Sequence, residues 1–307
     1  MAAEQIPHQD EQLVRVSSGI DLCYDSFGDP GDPALLLIMG LSGPMTWWST
    51  QFCEQLAERR YFVIRFDNRD IGHSTKLSGR QLRRADAVSA FVRGPRGHPP
   101  YTLSDMAADA IGLLDHLAIT RAHVMGASMG GMIAQTLAIE YPARVLSLIS
   151  IMSTTGRRAV GWQHPRIIPF LLRGRAAERD EYVRRSLTVR RVIGSPGFAS
   201  DPDEERRLAE ETYDRGLSPD GVIRQMQAIT AQPDRTAALG RLEVPALVVH
   251  GMSDRMVHVS GGRATAAAIP GSELILVPGM GHDLPKKVWP MLFDAIDRTT
   301  RRAAPSS

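Results

Sequence analysis

Short apolar runs alternate with amphipathic stretches along most of this chain, and that alternation admits few architectures. Each run is too short for a helix and reads as a strand buried on both faces of a mostly parallel sheet. The amphipathic stretches supply helices to cover both sides of that sheet. The clearest strands are Ala34–Met39, Tyr61–Phe66, His123–Met125, Val145–Ile151, Ala246–His250 and Glu273–Val277. Two leading runs, Gln12–Val16 and Ile20–Ser26, are parted by Ser18-Gly19 and read as a hairpin, which brings the sheet to eight strands. Helices are expected over Thr50–Arg59, Ser104–Leu117, Gly130–Tyr141 and Gly261–Ile269, and from just after Pro285 to about Arg301. In the second of these, Ser104 is the expected N-cap, and Ala107, Ile111, Leu114 and Leu117 fall at helical spacing.

Two stretches depart from the alternation. Lys76–Tyr101 is Arg-rich and punctuated by Gly79, Gly94, Pro95, Gly97, Pro99 and Pro100, the composition of an extended surface loop. Thr155–Thr236 holds helical material but no strand. Its first part, Arg157–Arg191, has ten arginines against Glu178, Asp180 and Glu181, whereas Asp201–Asp214 has seven acids and two arginines. Two helices pairing through opposite charge would account for this, and so would an anion-binding rim over a site.

Of the 307 residues 43% are apolar and 23% charged, with a formal net charge of +2. That balance is globular and excludes a disordered or disulfide-stapled chain. No apolar run nears the ~20 residues of a membrane helix, and MAAEQIPHQDEQ lacks the basic-then-apolar pattern of a secretory signal, so a cytoplasmic protein is expected. The arginines are neither interleaved with aromatics nor gathered in one stripe, which argues against nucleic acid as a partner. Cys23 and Cys53, the two cysteines, make neither a disulfide framework nor a metal site. With no H-E-x-x-H and no Walker loop, no metal or organic cofactor is expected. Oligomeric state is not legible in the sequence.

The chemistry concentrates in Gly126-Ala127-Ser128-Met129-Gly130, a G-x-S-x-G motif directly after one expected strand and before a helix. That setting forces a tight turn that exposes the serine hydroxyl, and the helix start adds partial positive charge beside it. The same run looks like the dinucleotide fingerprint G-x-G-x-x-G, but Ser128 stands where the middle glycine must admit a pyrophosphate. A serine nucleophile needs a base, and the base an orienting carboxylate. Asp254 in Gly251-Met252-Ser253-Asp254 and His282 in Pro278-Gly279-Met280-Gly281-His282 each follow a strand, in the order Ser, acid, His. Val145–Arg158 contains no acid, Asp283 is too near His282 to reach back to its ring, and His250 and His258 read as packing or surface residues. Backbone N–H donors for an oxyanion are expected from Met129 and, in Met39-Gly40-Leu41-Ser42-Gly43, from Leu41. Met45, Trp47, Trp48, Met152 and Trp162 flank these positions as candidate pocket residues for an apolar substrate group.

These residues together resemble the α/β-hydrolase superfamily over about residues 10–154 and 237–300. Asp67-Asn68-Arg69-Asp70-Ile71-Gly72-His73-Ser74 is similar to that family's D-x-R-G-x-G-x-S loop, with Asp70 in place of a common glycine. Met39-Gly40 replaces the usual His-Gly, and with the MGASMGG elbow and the PGMGHDLP ending it resembles actinobacterial carboxylesterases and the aclacinomycin methylesterase type. The resemblance implies an α/β-hydrolase core over 1–154 and 237–307, with a helical cap over 155–236 inserted after the sixth strand. It also implies hydrolysis of a small-molecule carboxylic ester through a Ser128 acyl-enzyme. No motif in the cap carries a particular substrate across, an anthracycline methyl ester included. Ser128 argues against dehalogenases and epoxide hydrolases of this fold, which use Asp at the elbow. Thioesterase, lactonase, C–C hydrolase and perhydrolase chemistries stay open, as does a non-catalytic binding protein on the same scaffold.

Overall fold

Side chains alternating across the sheet divide the core in two. The computed structural model describes residues 6–78, 98–169 and 178–303. Its central strand β3 (Ala34–Ile38) is buried throughout. Leu36 and Ile38 join one apolar cluster, while Leu35 and Leu37 join another on the opposite face. That is the period-2 consequence of a strand covered on both sides. Helices α2 (Leu103–His116) and α3 (Met129–Glu140) contribute to the first cluster; α1 (Thr50–Ala57) and α9 (Trp289–Arg301) contribute to the second, and α8 (Ser260–Ala268) packs beside the last two strands of the sheet. Each fully buried Leu, Ile or Phe in these layers stabilises the fold by about 1.5–3 kcal/mol.

The eight strands, β1 (His8–Arg15), β2 (Asp21–Phe27), β3, β4 (Phe62–Phe66), β5 (Ala122–Ala127), β6 (Val145–Ile151), β7 (Ala246–Gly251) and β8 (Glu273–Val277), lie in the order β1-β2-β4-β3-β5-β6-β7-β8. The hairpin β1–β2 is antiparallel, β2 pairs antiparallel with β4, and every later neighbour pair is parallel. The chain winds outward from β3 to β4 and then back past it to β5. The carboxyl ends of β3 and β5 therefore flank a crevice of the kind in which open α/β sheets hold their ligands. The expected strands and helices fall where the sequence placed them, within a few residues at each end. The expected cap of α2 is corrected: Thr102, not Ser104, is its N-cap. The Thr102 hydroxyl accepts from the Asp105 N–H at 3.2 Å and the Asp105 carboxylate accepts from the Thr102 N–H at 2.7 Å. Ser104 instead donates to Glu140 at 2.6 Å. Most of the expected loop 76–101 lies outside the described residues.

Between β6 and β7 the chain inserts α4 (Arg179–Ile193), α5 (Pro202–Asp214), α6 (Pro219–Ala231) and the short α7 (Thr236–Leu239), with no strand among the described residues. The insert leaves and rejoins the sheet at one place, where the Arg235 N–H donates to the Thr155 carbonyl at 2.8 Å. Opposite charge does join α4 to α5: Arg179 lies 2.8 Å from Asp214 and 3.6 Å from Glu210. Two further arginines fasten the insert to the loop after β4. Arg215 donates to Asp67 at 2.8 Å, and Arg224 donates to both carboxylate oxygens of Asp70 at 2.6 and 2.8 Å. Asp70 has φ 72°, in the left-handed region that glycine enters without strain and other residues rarely adopt. Here the carboxylate it gains binds Arg224, Tyr101 and the Leu77 N–H.

Candidate active site

The motif glycines hold Ser128 in a backbone conformation that few side chains adopt. Ser128 sits between β5 and α3 at φ 57° and ψ −118°, a strained position costing about 1–3 kcal/mol. Its N–H donates to Ile151 at 2.8 Å, and its carbonyl accepts from the Ser153 hydroxyl at 2.8 Å and the Met132 N–H at 3.1 Å. The turn has no room for larger neighbours: a Cβ on Gly130 would lie 2.0 Å from the Ile38 carbonyl oxygen, and one on Gly126 2.1 Å from that of Gly130.

His282 and Asp254 arrive from the loops after β8 and β7. His282 Nε2 is 3.0 Å from Ser128 Oγ, and its Nδ1 is 2.7 Å from Asp254 Oδ2. An ionised carboxylate only accepts, so Nδ1 carries the ring proton and Nε2 is free to accept from the serine hydroxyl. The other Asp254 oxygen accepts from the Met256 and Val257 N–H groups at 2.8 and 2.9 Å. Burial alone would raise the Asp254 carboxyl, but the His282 and His250 imidazoles beside it hold it down to about 2. His250 is fully buried, with Nε2 3.4 Å from Asp254 Oδ2 and 2.8 Å from the Val257 carbonyl. It is thus a packing residue, as the sequence implied, but one packed directly against the acid.

The depressed Asp254 pKa has a measurable consequence. Relative to an ordinary value of 3.8, ionised Asp254 stabilises the fold fully above about pH 4, and that contribution is lost as the pH falls through about 2. It amounts to about 2 kcal/mol. Asp254→Asn should therefore flatten the decline of the urea-unfolding free energy between pH 4 and 2. An unaltered acid slope would contradict this assignment.

The His282 loop leans on the insert, which the sequence did not foreshadow. The His282 N–H donates to the Ile193 carbonyl at 2.7 Å, and the Gly281 N–H donates to Ser195 Oγ at 2.8 Å. The two expected oxyanion donors have free backbone N–H groups: Met129 is the first residue of α3, where no helical acceptor exists, and neither it nor Leu41 donates to a described residue outside a helix or strand ladder. Gly40, before Leu41, faces the serine, since a Cβ there would lie 3.1 Å from Ser128 Cβ.

A cavity of about 1040 Å³ opens above Ser128 and His282, between the sheet and the insert. Trp47, Trp48 and Met152 line it, as does Leu41. Two candidate pocket residues are corrected. Met45 is fully buried, its N–H donating to Asp67 Oδ1 at 2.7 Å, and it lies beneath the cavity wall. Trp162 is 45% exposed and stacks on His258, with ring centroids 4.2 Å apart, outside the cavity lining. The insert adds lining residues that the sequence did not single out, Met226, Tyr182 and Arg190 among them. Elsewhere Glu11, Cys23 and His73 bring three ligand-type atoms within 4.8 Å of one another. Arg215 already donates to Glu11 and Cys23, and burial, with Asp67 and Glu11 beside it, pushes the Cys23 thiol up to about 12. That cluster is an ion-paired joint between sheet and insert.

A mostly parallel sheet with a half-buried serine at a strand-to-helix elbow is the arrangement of the α/β-hydrolase fold, and similarity to known proteins agrees. The chain belongs to the α/β hydrolase fold family, whose sequence model matches residues 33–286. It is similar to the rhodomycin D methylesterase DauP of Streptomyces sp. (strain C5), 30% identical over 305 residues that cover 92% of this chain and 96% of that protein. It is also similar to 3-oxoadipate enol-lactonase 2 of Acinetobacter baylyi, at 28% identity over 83% of this chain and 84% of the relative. The crystal structure of the enol-lactonase from Burkholderia xenovorans LB400 shares the fold, with a TM-score of 0.73, 21% identity and coverage of 94% of this chain and 100% of that one. No described helix is long and apolar enough to cross a membrane.

Proposed function

We propose that the protein is a carboxylic ester hydrolase in which Ser128, His282 and Asp254 act as a catalytic triad and residues 155–236 as a cap over the substrate. The observation that carries this reading is the unbroken hydrogen-bonded series from Ser128 Oγ through His282 to Asp254 at the floor of the cavity. His282 Nε2 takes the Ser128 proton as Oγ attacks the acyl carbon, and ionised Asp254 stabilises the imidazolium. The Leu41 and Met129 N–H groups hold the tetrahedral oxyanion, each worth about 3 kcal/mol in the transition state. The ester C–O bond then breaks, and His282 returns the proton to the departing alcohol. Water, deprotonated by His282, attacks the acyl-enzyme, releasing the acid and restoring the Ser128 hydroxyl.

The relatives named as methylesterases favour a methyl ester, and the apolar lining favours a large hydrophobic body attached to it. The enol-lactonase relative favours a second substrate type, a cyclic ester opened by the same steps into one hydroxy-acid or keto-acid product. The test is turnover of p-nitrophenyl acetate, butyrate, octanoate and palmitate. The expected result is hydrolysis with a preference for the longer apolar acyl groups over acetate. A folded wild-type protein that turns over none of them, and no lactone, would overturn the reading.

A further inference from the structure

Arg190 is a cation at the cavity wall that holds no direct hydrogen-bond or ion-pair partner among the described residues. It sits in the last turn of α4 and lines the cavity, with its guanidinium 5.5 Å above the centre of the Trp47 ring. Trp47 is itself held in place by a hydrogen bond from its Nε1 to Thr212 at 2.9 Å. Among the described residues the Arg190 guanidinium makes no hydrogen bond and no ion pair, whereas several polar groups around it are engaged. Arg185 pairs with Glu181, Lys286 with Glu204 at 2.8 Å, and Ser195 donates to Asp283. Glu205, Asp283, Glu204 and the Tyr182 ring face Arg190 without contacting it, and burial still lowers its pKa from the ordinary value despite them. A planar group of five N–H donors, partly buried against an aromatic face, is built for bidentate recognition of a carboxylate.

We propose that Arg190, stacked on Trp47 at the cavity wall, binds a carboxylate carried by the substrate in addition to the ester that Ser128 attacks. The inference rests on the esterase reading for its biological meaning, but its binding step can be measured without turnover. A carboxylate seated there replaces the missing acceptor, gains charge-assisted hydrogen bonds and leaves the Trp47 face to cover the adjoining apolar part of the ligand. Glu204 and Asp283 are tied to other partners and can stay in place as it binds, and the ligand carboxylate takes the direct contact that Glu205, facing Arg190 from α5, does not make.

The experiment uses the full chain as Ser128→Ala, titrated by calorimetry with 1-naphthoate and with its neutral counterpart 1-naphthylmethanol. Naphthoate is expected to bind more tightly than naphthylmethanol. Adding Arg190→Met should weaken naphthoate by about 10–100-fold, the range of a charge-assisted contact, and leave naphthylmethanol unchanged, which also shows that the variant is folded. Arg190→Lys keeps the charge and loses the fork, so an intermediate affinity is expected. Equal loss of both ligands in Arg190→Met, no preference for naphthoate, or no naphthoate binding would each overturn the proposal. With Ser128 present, turnover of p-nitrophenyl hydrogen glutarate and p-nitrophenyl butyrate separates the two readings. Selective binding without hydrolysis of either ester would sink the esterase reading and leave the Arg190 site standing. Hydrolysis of both with no Arg190-dependent preference would do the reverse.

Discussion

Replacing Ser128 with alanine is expected to lower kcat on p-nitrophenyl butyrate by about 10⁴–10⁶-fold, with little change in KM and none in the cooperative unfolding transition. The physical reason is that Oγ, which forms the acyl-enzyme in the mechanism proposed above, is the only hydroxyl within hydrogen-bond distance of His282 Nε2 among the described residues. Alanine removes the nucleophile but leaves the elbow, because what holds the turn is the backbone pairing to Ile151 and the space at Gly126 and Gly130. Asp254→Asn should fall about 10⁴-fold through a different route. An amide at that position is anchored by donors at Met256 and Val257, so its NH₂ group turns toward His282 and selects the wrong ring tautomer. The Met129 and Leu41 donors survive both changes, so each variant should retain a residual rate above that of water.

The largest stability effect is expected at the joint between sheet and insert. Asp70 is fully buried and Arg224 nearly so, and they meet through two hydrogen bonds of 2.6 and 2.8 Å. Arg224→Met removes the cation but leaves a carboxylate inside, and breaking a buried pair in this way costs about 3–5 kcal/mol. The double variant Asp70→Asn with Arg224→Met should cost less than the sum of the two single changes, since no charge is then left unpaired. Because α6 also carries Met226 and Gln225 against the cavity and the loop from Met39 to Ser42, ester turnover should fall as well. Urea unfolding and kcat/KM on the same four proteins check both claims; additive losses in the cycle would contradict the account of the pair.

What the sequence made legible was whatever is set locally. Strands β3 to β7 announced themselves because burial on both faces leaves them mostly apolar, with single interruptions such as Arg65, His123 and His250, and the half-exposed β8 did so through its apolar run 274–277. The serine elbow did so because a positive φ and a backbone approach near 2 Å demand glycines at fixed spacing. Asp254 and His282 could be placed because each follows its strand by only a few residues. The joints of the insert were hidden for the opposite reason. Arg215 lies 148 residues from Asp67 and Arg224 lies 154 from Asp70, and both stand in an Arg-rich stretch where nothing distinguishes one guanidinium from another. The pocket set was partly misread because apolar character does not specify direction: Met45 points into the interior, and Trp162 covers His258 on the outside. Ser104 was a fair cap by type, but the reciprocal bond between Thr102 and Asp105 satisfies two backbone or side-chain donors at once.

The central claim is that Ser128 is a nucleophile activated by His282. The most direct measurement is intact-mass spectrometry of the protein after exposure to a p-nitrophenyl alkylphosphonate, followed by peptide mapping. The account predicts a single phosphonyl adduct on Ser128, formed with stoichiometric release of p-nitrophenol and absent from Ser128→Ala. Slowed labelling is expected in His282→Gln. An adduct on another residue, or labelling that proceeds equally in Ser128→Ala, would contradict it.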